Sequence, residues 1–354
     1  MSSNKTSDQV VWKCPDFVMK ACGEIAAKHE IYRPRYIFQR GSEEGDGFNG
    51  VVMRVVIVDE VRKTELSLIC KRFKRDPHDT DNFIFKNMFH RKIFTYCHVL
   101  PEFVALQQER NIQEDEGFFS FPTCHFAQQN VDEAALIFED LCASGYRMMP
   151  KRQCPDFDHA QLLMIQLGRL HALFFALRKH RPHILQRFQG LDDICTKFMR
   201  RKVMKPIVTR NCRLVQAVLR PEETMLSEKA EPWAVINHGD CWTNNLMYSY
   251  DKNHPGNPAK ITLIDWQTCQ YGSPVLDIYY FLFISTNKSF RDVHYRACLD
   301  IYYESLSKLL KQLDDDVDYV LEHDEQTLIH RNKQRYEERM RGNLVDFVNF
   351  ELMH

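Results

Sequence analysis

Apolar residues follow two different periods along this chain. In the first part, short runs rich in β-branched and aromatic residues predict strands, with helical stretches beside them. From Phe157 onward, the apolar residues recur mostly at helical spacing. The predicted elements of the first part are a helix over 14–30, strands over 51–58, 66–73, 117–126 and 134–138, and a helix over 82–98 that Pro101 closes.

A strand hairpin interrupts the helices of the second part. Helices are predicted over 159–180, 191–228 and 275–345, and strands in AVINHGD and NLMYSY…KITLIDW, with a turn at DKNHPGNP (251–258). Because strands and helices are segregated along the chain, an α+β fold is favoured over a doubly wound sheet. A length of 354 residues is long for one core, so we expect two lobes, 1–140 and 141–354.

Composition and charge limit which kinds of molecule this protein is expected to bind. The formal net charge is −1, with 44% hydrophobic and 27% charged residues, so the charge indicates neither a nucleic acid nor an anionic membrane surface. The 12 cysteines are scattered singly, which is typical of a reduced protein. The sequence offers neither an apolar run of signal-peptide length at its N-terminus nor an uninterrupted apolar membrane span. We therefore expect a cytoplasmic protein, with no nucleic-acid, membrane or protein partner evident.

The sequence HGDCWTNN at 238–245, followed by LIDWQ at 263–267, is the strongest chemical signal. Asp240 follows an apolar strand, Asn245 opens the next strand, and Asp265 ends the strand predicted to face it. Phosphoryl transfer from Mg-ATP needs a carboxylate near the attacking hydroxyl, and an amide oxygen and a second carboxylate to hold the metal. Each residue alone is equally consistent with an ordinary loop or turn, but their combined order and spacing favour phosphotransfer.

Signals for nucleotide binding in the first part are weaker. The stretch RGSEEGDGFNG at 40–50 contains Gly45 and Gly47, which suit a backbone that approaches phosphate, but such residues also form plain surface turns. Lys71 lies among apolar neighbours in LICKRF, where an exposed lysine on an edge strand is the simpler alternative. Glu139 and Leu141 follow the apolar strand AALIF, either as a connection between lobes or as an ordinary strand end.

Four segments together carry a resemblance to a known family. The segments are LIFEDLCASGYRM (136–148), LGRLHALFFAL (167–177), INHGDCWTNNLMY (236–248) and LIDWQTCQYGSPVLDIYYFL (263–282). Over roughly residues 15–310, the chain resembles choline kinases and aminoglycoside phosphotransferases, and more narrowly the ecdysteroid kinase-like (CHK kinase-like) family of insects. The resemblance implies a bilobal protein-kinase-like fold, with ATP and Mg²⁺ as cofactors.

The resemblance also implies roles for single residues. Asp240 is the implied catalytic carboxylate, and Asn245 and Asp265 are the implied Mg²⁺ ligands. Asp277 is implied to brace the catalytic loop by accepting backbone hydrogen bonds. The residues implied to bind ATP are Lys71 at the α- and β-phosphates, Gly45 and Gly47 in the phosphate loop, and Glu139 and Leu141 through backbone pairing with adenine.

The sequence departs from this pattern at one position. Similar families carry a Glu on the small-lobe helix that pairs with the ATP lysine, and the matching residue here is Lys92. Two ammonium groups ~4 Å apart repel by about 4 kcal/mol at an effective dielectric constant of about 20. Either Lys92 points away, or another acid such as Glu102 substitutes, or Lys71 is poorly held.

The sequence thus predicts a kinase that transfers the γ-phosphate of ATP to a hydroxyl of a small organic molecule. The resemblance points to an ecdysteroid or other steroid alcohol, or to a phenolic or glycosidic xenobiotic. The alternative, motivated by Lys92, is a pseudokinase-like ligand-binding protein with little or no turnover. A protein kinase is less well supported, since HRD, DFG and APE segments are absent from the sequence. We expect His171, in a helix rich in Leu and Phe, to be a packed core residue.

Overall fold

The computed structural model describes residues 14–41, 51–74, 82–129, 133–150, 153–191 and 234–313. The chain divides into two compact units, Met1–Ile93 with Pro122–Arg147 and Phe94–Phe121 with Met148–His354. Three sequence predictions lie outside the described residues: the glycine-rich stretch with Gly45 and Gly47, nearly all of the helix over 191–228, and helix beyond residue 313.

The first unit is built on a five-stranded antiparallel sheet. The elements of this unit are α1 (Asp16–Lys28), β1 (Pro34–Arg40), β2 (Val51–Asp59), β3 (Glu65–Lys74), α2 (Asn82–Phe94), β4 (Cys124–Gln129) and β5 (Glu133–Glu139). The strand order is β1-β2-β3-β5-β4. The helix predicted over 14–30 and the strands predicted over 51–58, 66–73 and 134–138 are confirmed, while β1, a strand of mixed composition at the sheet edge, was not predicted.

Helix α1 covers one face of this sheet. Its apolar side chains form a buried cluster with inward-facing residues of the three central strands. Side chains alternate between faces along a strand, so Leu68 and Cys70 of β3 face α1 and Lys71 lies on the opposite face. The core of the unit consists mainly of Val18, Ala21, Cys22, Ile25, Met53, Val55, Ile57, Leu68, Cys70, Ala135 and Ile137.

The prediction that Pro101 closes the helical region is wrong. Helix α2 is followed by a wider, π-helical turn over Thr95–Val99 and then by α3 (Leu100–Glu109), which contains Pro101 in its first turn. The first turn of a helix is where proline is tolerated, because a backbone N–H is not needed there for the helical hydrogen bonds. Helical backbone therefore continues about three turns past the predicted end at residue 98.

The strand predicted over 117–126 is wrong in its first part, because β4 begins only at Cys124. The side chain of Gln107 takes the place of a strand partner for Phe118. Its Nε2 donates to the Phe118 carbonyl at 3.1 Å and its Oε1 accepts from the Phe118 N–H at 2.6 Å. Phe118 itself is 0% exposed. The apolar run is therefore a buried irregular segment, whose backbone is satisfied by a side-chain amide.

The second unit is mainly helical. The short strand β6 (Arg147–Met148) lies where the chain passes from the first unit to the second. The other elements of the second unit are α4 (Phe157–His180), α5 (Pro182–Gln189), β7 (Val235–Asn237), β8 (Leu246–Tyr250), β9 (Pro258–Leu263), β10 (Gln270–Gly272), α6 (Val275–Ile284) and α7 (Lys288–Leu313). The helix predicted over 159–180 and the strand hairpin are confirmed: β8 and β9 pair antiparallel, whereas β7 pairs with β10.

Helix α4 is the central helix of this unit. In the part of the chain that the structure describes, it alone is long and apolar enough to cross a membrane, and 67% of its most apolar window is buried inside the protein. The Asp156 carboxylate caps its N-terminus by accepting from the His159 N–H, and three basic residues occupy its last turn. Burial and capping of this kind are those of a core helix.

Segment 94–121 belongs with the helical unit, although the predicted division after residue 140 places it in the first lobe. Arg169 of α4 donates to the carbonyls of Gly117 at 2.9 Å and Asp115 at 2.6 Å. Arg181 forms ion pairs with both Glu102 and Glu109 of α3. The sheet of the first unit and the helices of the second nevertheless remain segregated, which confirms the predicted α+β class.

Candidate active site

The loop that connects β7 to β8 depends on a glycine. Gly239 has φ +83°, a left-handed conformation that L side chains rarely adopt. A Cβ atom at this position would collide with the carbonyl oxygen of Thr268 and lie 2.9 Å from its carbonyl carbon. The loop therefore passes so close to the segment before β10 that only glycine fits.

A buried carboxylate holds the start of this loop. The Oδ2 atom of Asp277, in the first turn of α6, accepts from the His238 N–H at 2.7 Å, and its Oδ1 accepts from the Gly239 N–H at 2.8 Å. Asp277 is 0% exposed. The predicted bracing role of Asp277 is confirmed.

The ring of His238 ties the loop to the end of β9. Its Nε2 lies 3.0 Å from the Ile264 carbonyl, which can only accept, so Nε2 carries the proton. Its Nδ1 then accepts from the Asp240 N–H at 3.3 Å. The ring packs edge-on against Trp266, with centroids 4.7 Å apart. His238 is thereby assigned a bridging role rather than that of a base.

Asp240 and Asn245 are joined directly. The amide Nδ2 of Asn245 donates to the Asp240 carboxylate at 2.7 Å and to the Asp240 backbone carbonyl at 3.0 Å. Two acceptors for the nitrogen fix the orientation of the amide, which leaves Oδ1 as the acceptor atom for another group. The short helical turn Thr243–Asn245, directly before β8, positions this side chain.

Asp265 lies beside this pair in an unusual backbone conformation. Its φ is 69° and its ψ is 57°, a left-handed conformation at the turn after β9. Its neighbour Ile264 donates its N–H to the Asn245 carbonyl at 2.9 Å, so the hairpin pairing extends to the site. Left-handed non-glycine residues cost strain that concentrates at functional sites, and Asp tolerates the conformation better than most. The structure thus brings Asp240, Asn245 and Asp265 together at one end of the hairpin.

The electrostatic environment of Asp240 is unusual for a carboxylate. Burial raises the pKa of this carboxyl to about 6; the Tyr280 hydroxyl directed at it opposes the rise, and the charge of Asp265 adds to it. Sequence reasoning missed Tyr280. Its signal is its spacing, since it lies three residues after Asp277 and therefore on the same face of α6.

The donor set of the site suits magnesium. Among the described residues there is no group of three or more His, Cys, Asp or Glu that could hold a metal ion. Mg²⁺ does not need one, because it is usually bound by one or two protein oxygens together with phosphate oxygens and water. The carboxylate of Asp265 and the amide oxygen of Asn245 are hard oxygen donors of this kind, so the residues present fit the ion.

The predicted nucleotide residues lie in the first unit. Lys71 is half-buried in the centre of β3, with Val52 and Leu136 as its neighbours on the adjacent strands. Gly45 and Gly47 lie outside the described residues. Phe73 shares the sheet face of Lys71, and its ring centroid lies 6.2 Å from that of Phe89 in α2. Helix α2 therefore packs on the face that carries Lys71.

The backbone at the end of β5 is partly committed. The Glu139 N–H donates to the Thr123 carbonyl at 3.0 Å, and the Leu141 carbonyl accepts from the Tyr146 N–H at 2.9 Å. Asp140, between them, donates its N–H to the backbone carbonyl of Ser67 in β3 at 3.2 Å. Because backbone groups alternate in direction along a strand, those of Glu139 face away from β3.

A second buried carboxylate, which sequence reasoning missed, holds this turn. Asp140 is 4% exposed. Its Oδ2 accepts from the Ser67 hydroxyl at 2.7 Å and lies 2.8 Å from Arg54 Nε, while its Oδ1 accepts from the Cys142 N–H at 3.0 Å. No periodic signal could have found it, because its two side-chain partners, Ser67 and Arg54, lie on two distant strands.

The departure at Lys92 has a structural counterpart. Lys92 is 3% exposed, and its Nζ lies 5.9 Å from the centroid of the Phe89 ring. The contact directs the ammonium group to an aromatic face, a favourable cation–π arrangement. Glu102, the substitute acid considered above, pairs with Arg181 at 3.1 Å. Lys92 therefore lies beside Phe89, and Glu102 is engaged by Arg181.

Comparison with known proteins identifies the family. The model of the ecdysteroid kinase-like family matches residues 44–223 and 193–315, which together span most of the chain. The chain belongs to the ecdysteroid kinase-like family. Membership agrees with the predicted protein-kinase-like fold and with the order of a strand-rich unit before a mainly helical one.

Two curated relatives of this ecdysteroid kinase-like protein match over shorter segments. The 4-hydroxytryptamine kinase of Psilocybe cyanescens is 35% identical over 77 residues, which is 22% of this chain and 18% of the relative. That of Psilocybe cubensis is 28% identical over 97 residues, 27% of this chain and 23% of the relative. The match thus spans about a fifth of the length of these relatives.

Solved structures are similar at low sequence identity. A putative aminoglycoside phosphotransferase from Ralstonia eutropha is 13% identical with a TM-score of 0.44, covering 83% of this chain and 84% of the other. A putative fructosamine-3-kinase from Haemophilus somnus is 15% identical with a TM-score of 0.40, covering 85% and 91%. Family membership follows from the sequence match and not from these similarities.

Proposed function

We propose that this ecdysteroid kinase-like protein is a small-molecule kinase that transfers the γ-phosphate of ATP to a hydroxyl group. The observation that carries the proposal is the direct contact of Asp240 with Asn245 beside Asp265, in a loop braced by the buried Asp277. A carboxylate, an amide oxygen and a second carboxylate in this arrangement match the needs of phosphoryl transfer from a metal-bound nucleotide.

In the proposed reaction, Asp240 accepts a hydrogen bond from the acceptor hydroxyl and orients it. The new bond forms between that oxygen and the γ-phosphorus, while the bond from the γ-phosphorus to the bridging oxygen of ADP breaks. The proton of the hydroxyl passes to Asp240 late, because the transferred group is largely metaphosphate-like. Asn245 and Asp265 would hold Mg²⁺, which supplies positive charge to the phosphates when bound.

The nucleotide contacts belong to the proposal as well. Lys71 is the residue proposed to contact the α- and β-phosphates, and its place on the sheet face opposite α1 is compatible with that role. Gly45 and Gly47 are proposed for the phosphate loop, and the backbone of Glu139 and Leu141 for adenine.

The acceptor we propose is a phenolic hydroxyl, a steroid alcohol or a glycoside, in that order. The names of the two matched relatives describe kinases of a hydroxytryptamine, a phenol carried on an indole, which supports the phenolic class. A cytoplasmic location and detoxification of such compounds complete the proposal.

A phosphorylation screen tests the function. Purified protein with Mg-ATP is offered phenolic indoles, steroid alcohols and phenolic glycosides, and ADP and phosphorylated product are measured. Asp240→Asn and Asp265→Asn should each lose at least about 100-fold in kcat, because both act on the reacting groups. Asp292→Asn, an exposed acid of α7 paired with Lys288, should retain full activity and is the matched control. No transfer to any hydroxyl of the panel would refute the phosphotransfer proposal.

A pseudokinase-like ligand-binding protein is the second candidate, favoured by the buried Lys92. It predicts that ATP and acceptor raise the melting temperature while no product forms. Restoring an acid through Lys92→Glu separates the two functions. A kinase whose Lys92 points to Phe89 gains no activity from this change, whereas a pseudokinase limited by Lys92 would begin to turn over.

A further inference from the structure

A buried polar chain runs from α7 to the loop that carries Asp240. The Tyr302 hydroxyl of α7 lies 2.8 Å from His171 Nδ1 in α4. His171 Nε2 lies 3.5 Å from Asp277 Oδ2 without the geometry of a hydrogen bond, and both side chains are 0% exposed. Asp277 in turn accepts the N–H groups of His238 and Gly239. Side chains of three helices thus follow one another from α7 to this loop.

The donor and acceptor roles along this series of side chains follow from Asp277, its last acceptor. An ionised Asp277 can only accept, so the facing Nε2 of His171 carries the proton. The neutral ring then has an unprotonated Nδ1, which accepts from the Tyr302 hydroxyl. Because a hydroxyl can donate or accept, Asp277 sets this tautomer, and the Tyr302 hydroxyl holds the ring in place by donating to Nδ1.

Close packing of α4 against α7 places the Tyr302 hydroxyl within hydrogen-bond distance of His171. Gly168 lies three residues before His171, on the same face of α4. A Cβ atom at Gly168 would lie 2.5 Å from the Tyr302 carbonyl oxygen, so only glycine allows the approach. Next to it, the Ser305 hydroxyl donates to the Ile165 carbonyl at 2.9 Å. The helices are thereby held in one register at the height of His171.

We propose that His171 and Tyr302 are positioning residues for Asp240. By fixing the carboxylate of Asp277, they hold the two backbone N–H groups that precede Asp240, and through them the direction of its side chain. Neither residue contacts the reacting atoms. The kinetic consequence rests on the proposed kinase function, but the effect on the loop does not.

The first measurement concerns the loop itself. Hydrogen–deuterium exchange of peptides covering 236–248 is compared in wild type, Tyr302→Phe and Tyr303→Phe. Removing the Tyr302 hydroxyl should speed exchange in these peptides by about tenfold, the equivalent of one lost hydrogen bond. Tyr303, the next residue of α7, is 37% exposed, so Tyr303→Phe serves as the matched control and should leave exchange unchanged.

The second measurement concerns catalysis. Tyr302→Phe should lower kcat by about tenfold and change the KM for ATP by less than about twofold, because orientation and not nucleotide binding is affected. In an Asp277→Asn background, the same change should have no further effect on kcat. A role confined to helix packing would lower kcat additively in both backgrounds.

The outcomes separate the two proposals. Faster loop exchange in Tyr302→Phe, with non-additive loss of kcat, supports the positioning role. Unchanged loop exchange, or full additivity with Asp277→Asn, overturns it whatever the activity. Faster loop exchange in a protein whose wild type transfers no phosphate refutes the kinase function and leaves the positioning of the loop established.

Discussion

Two turns of this protein are each held by a buried aspartate, and they are held differently. Asp277 braces the loop before Asp240 by accepting two backbone N–H groups, and is 0% exposed. Asp140 braces the turn after β5 through one backbone N–H, the Ser67 hydroxyl and Arg54, whose side chain is 32% exposed.

The difference lies in what can adapt when a partner is lost. Backbone donors in a buried loop have no alternative partner, so each lost acceptor costs the full desolvation of an N–H group. A hydroxyl can rotate and a part-exposed guanidinium can turn to water, so the second turn loses less. We infer that the loop of Asp240 is the more rigid of the two and the less tolerant of substitution.

The largest loss of stability is expected at Gly239, and Gly145, a glycine of similar φ, is the comparison. Gly239 has φ +83° and a Cβ position that collides with Thr268, whereas Gly145, in the turn after Asp140, has φ +86° and nothing within 4 Å. Gly239→Ala should destabilise by more than about 3 kcal/mol and abolish activity, since strain and collision add. Gly145→Ala should cost about 1–2 kcal/mol, from the left-handed backbone alone. Urea unfolding followed by circular dichroism gives the change in free energy of unfolding for each variant. Equal losses would show that the collision with Thr268 adds nothing to the backbone strain.

The next largest loss of stability is expected when either buried carboxylate is replaced by an amide. Asp277→Asn places an NH₂ group against a backbone N–H and should cost about 2–3 kcal/mol. Asp140→Asn should cost about 1 kcal/mol, because Ser67 can reverse its hydrogen bond and Arg54 can turn to solvent. Thermal unfolding of the two variants side by side is the measurement. A larger loss for Asp140→Asn would reverse the ranking of the two turns.

The smallest effect lies within the Asp140 turn. Ser67→Ala removes one donor to a carboxylate that keeps Arg54 and the Cys142 N–H, and should cost about 0.5–1 kcal/mol. Hydrogen exchange at residues 139–146 should rise slightly, and that at 236–248 should stay unchanged. A loss beyond about 2 kcal/mol would show that the turn depends on this hydroxyl alone.

Sequence reasoning succeeded where the signal is local. The hairpin of β8 and β9 follows from apolar residues on both sides of a strong turn. Asp240 and Asn245 are five residues apart, which is short enough for one loop to bring their side chains into contact. It failed at Pro101 and at Phe118. Pro101 is tolerated in the first turn of α3, and the backbone of Phe118 is paired with the side chain of Gln107 instead of a strand.

By itself, the sequence determined the α+β class through simple periodicity, and the three polar residues at the end of the hairpin through their order and spacing. The family followed from the resemblance of four segments. Only the tertiary structure decided that segment 94–121 packs with the helical unit, and that Lys92 turns to Phe89. It also decided that the Tyr302 hydroxyl meets His171, a partner 131 positions earlier. Such pairs depend on how closely two helices approach, and no pattern along the chain carries that distance.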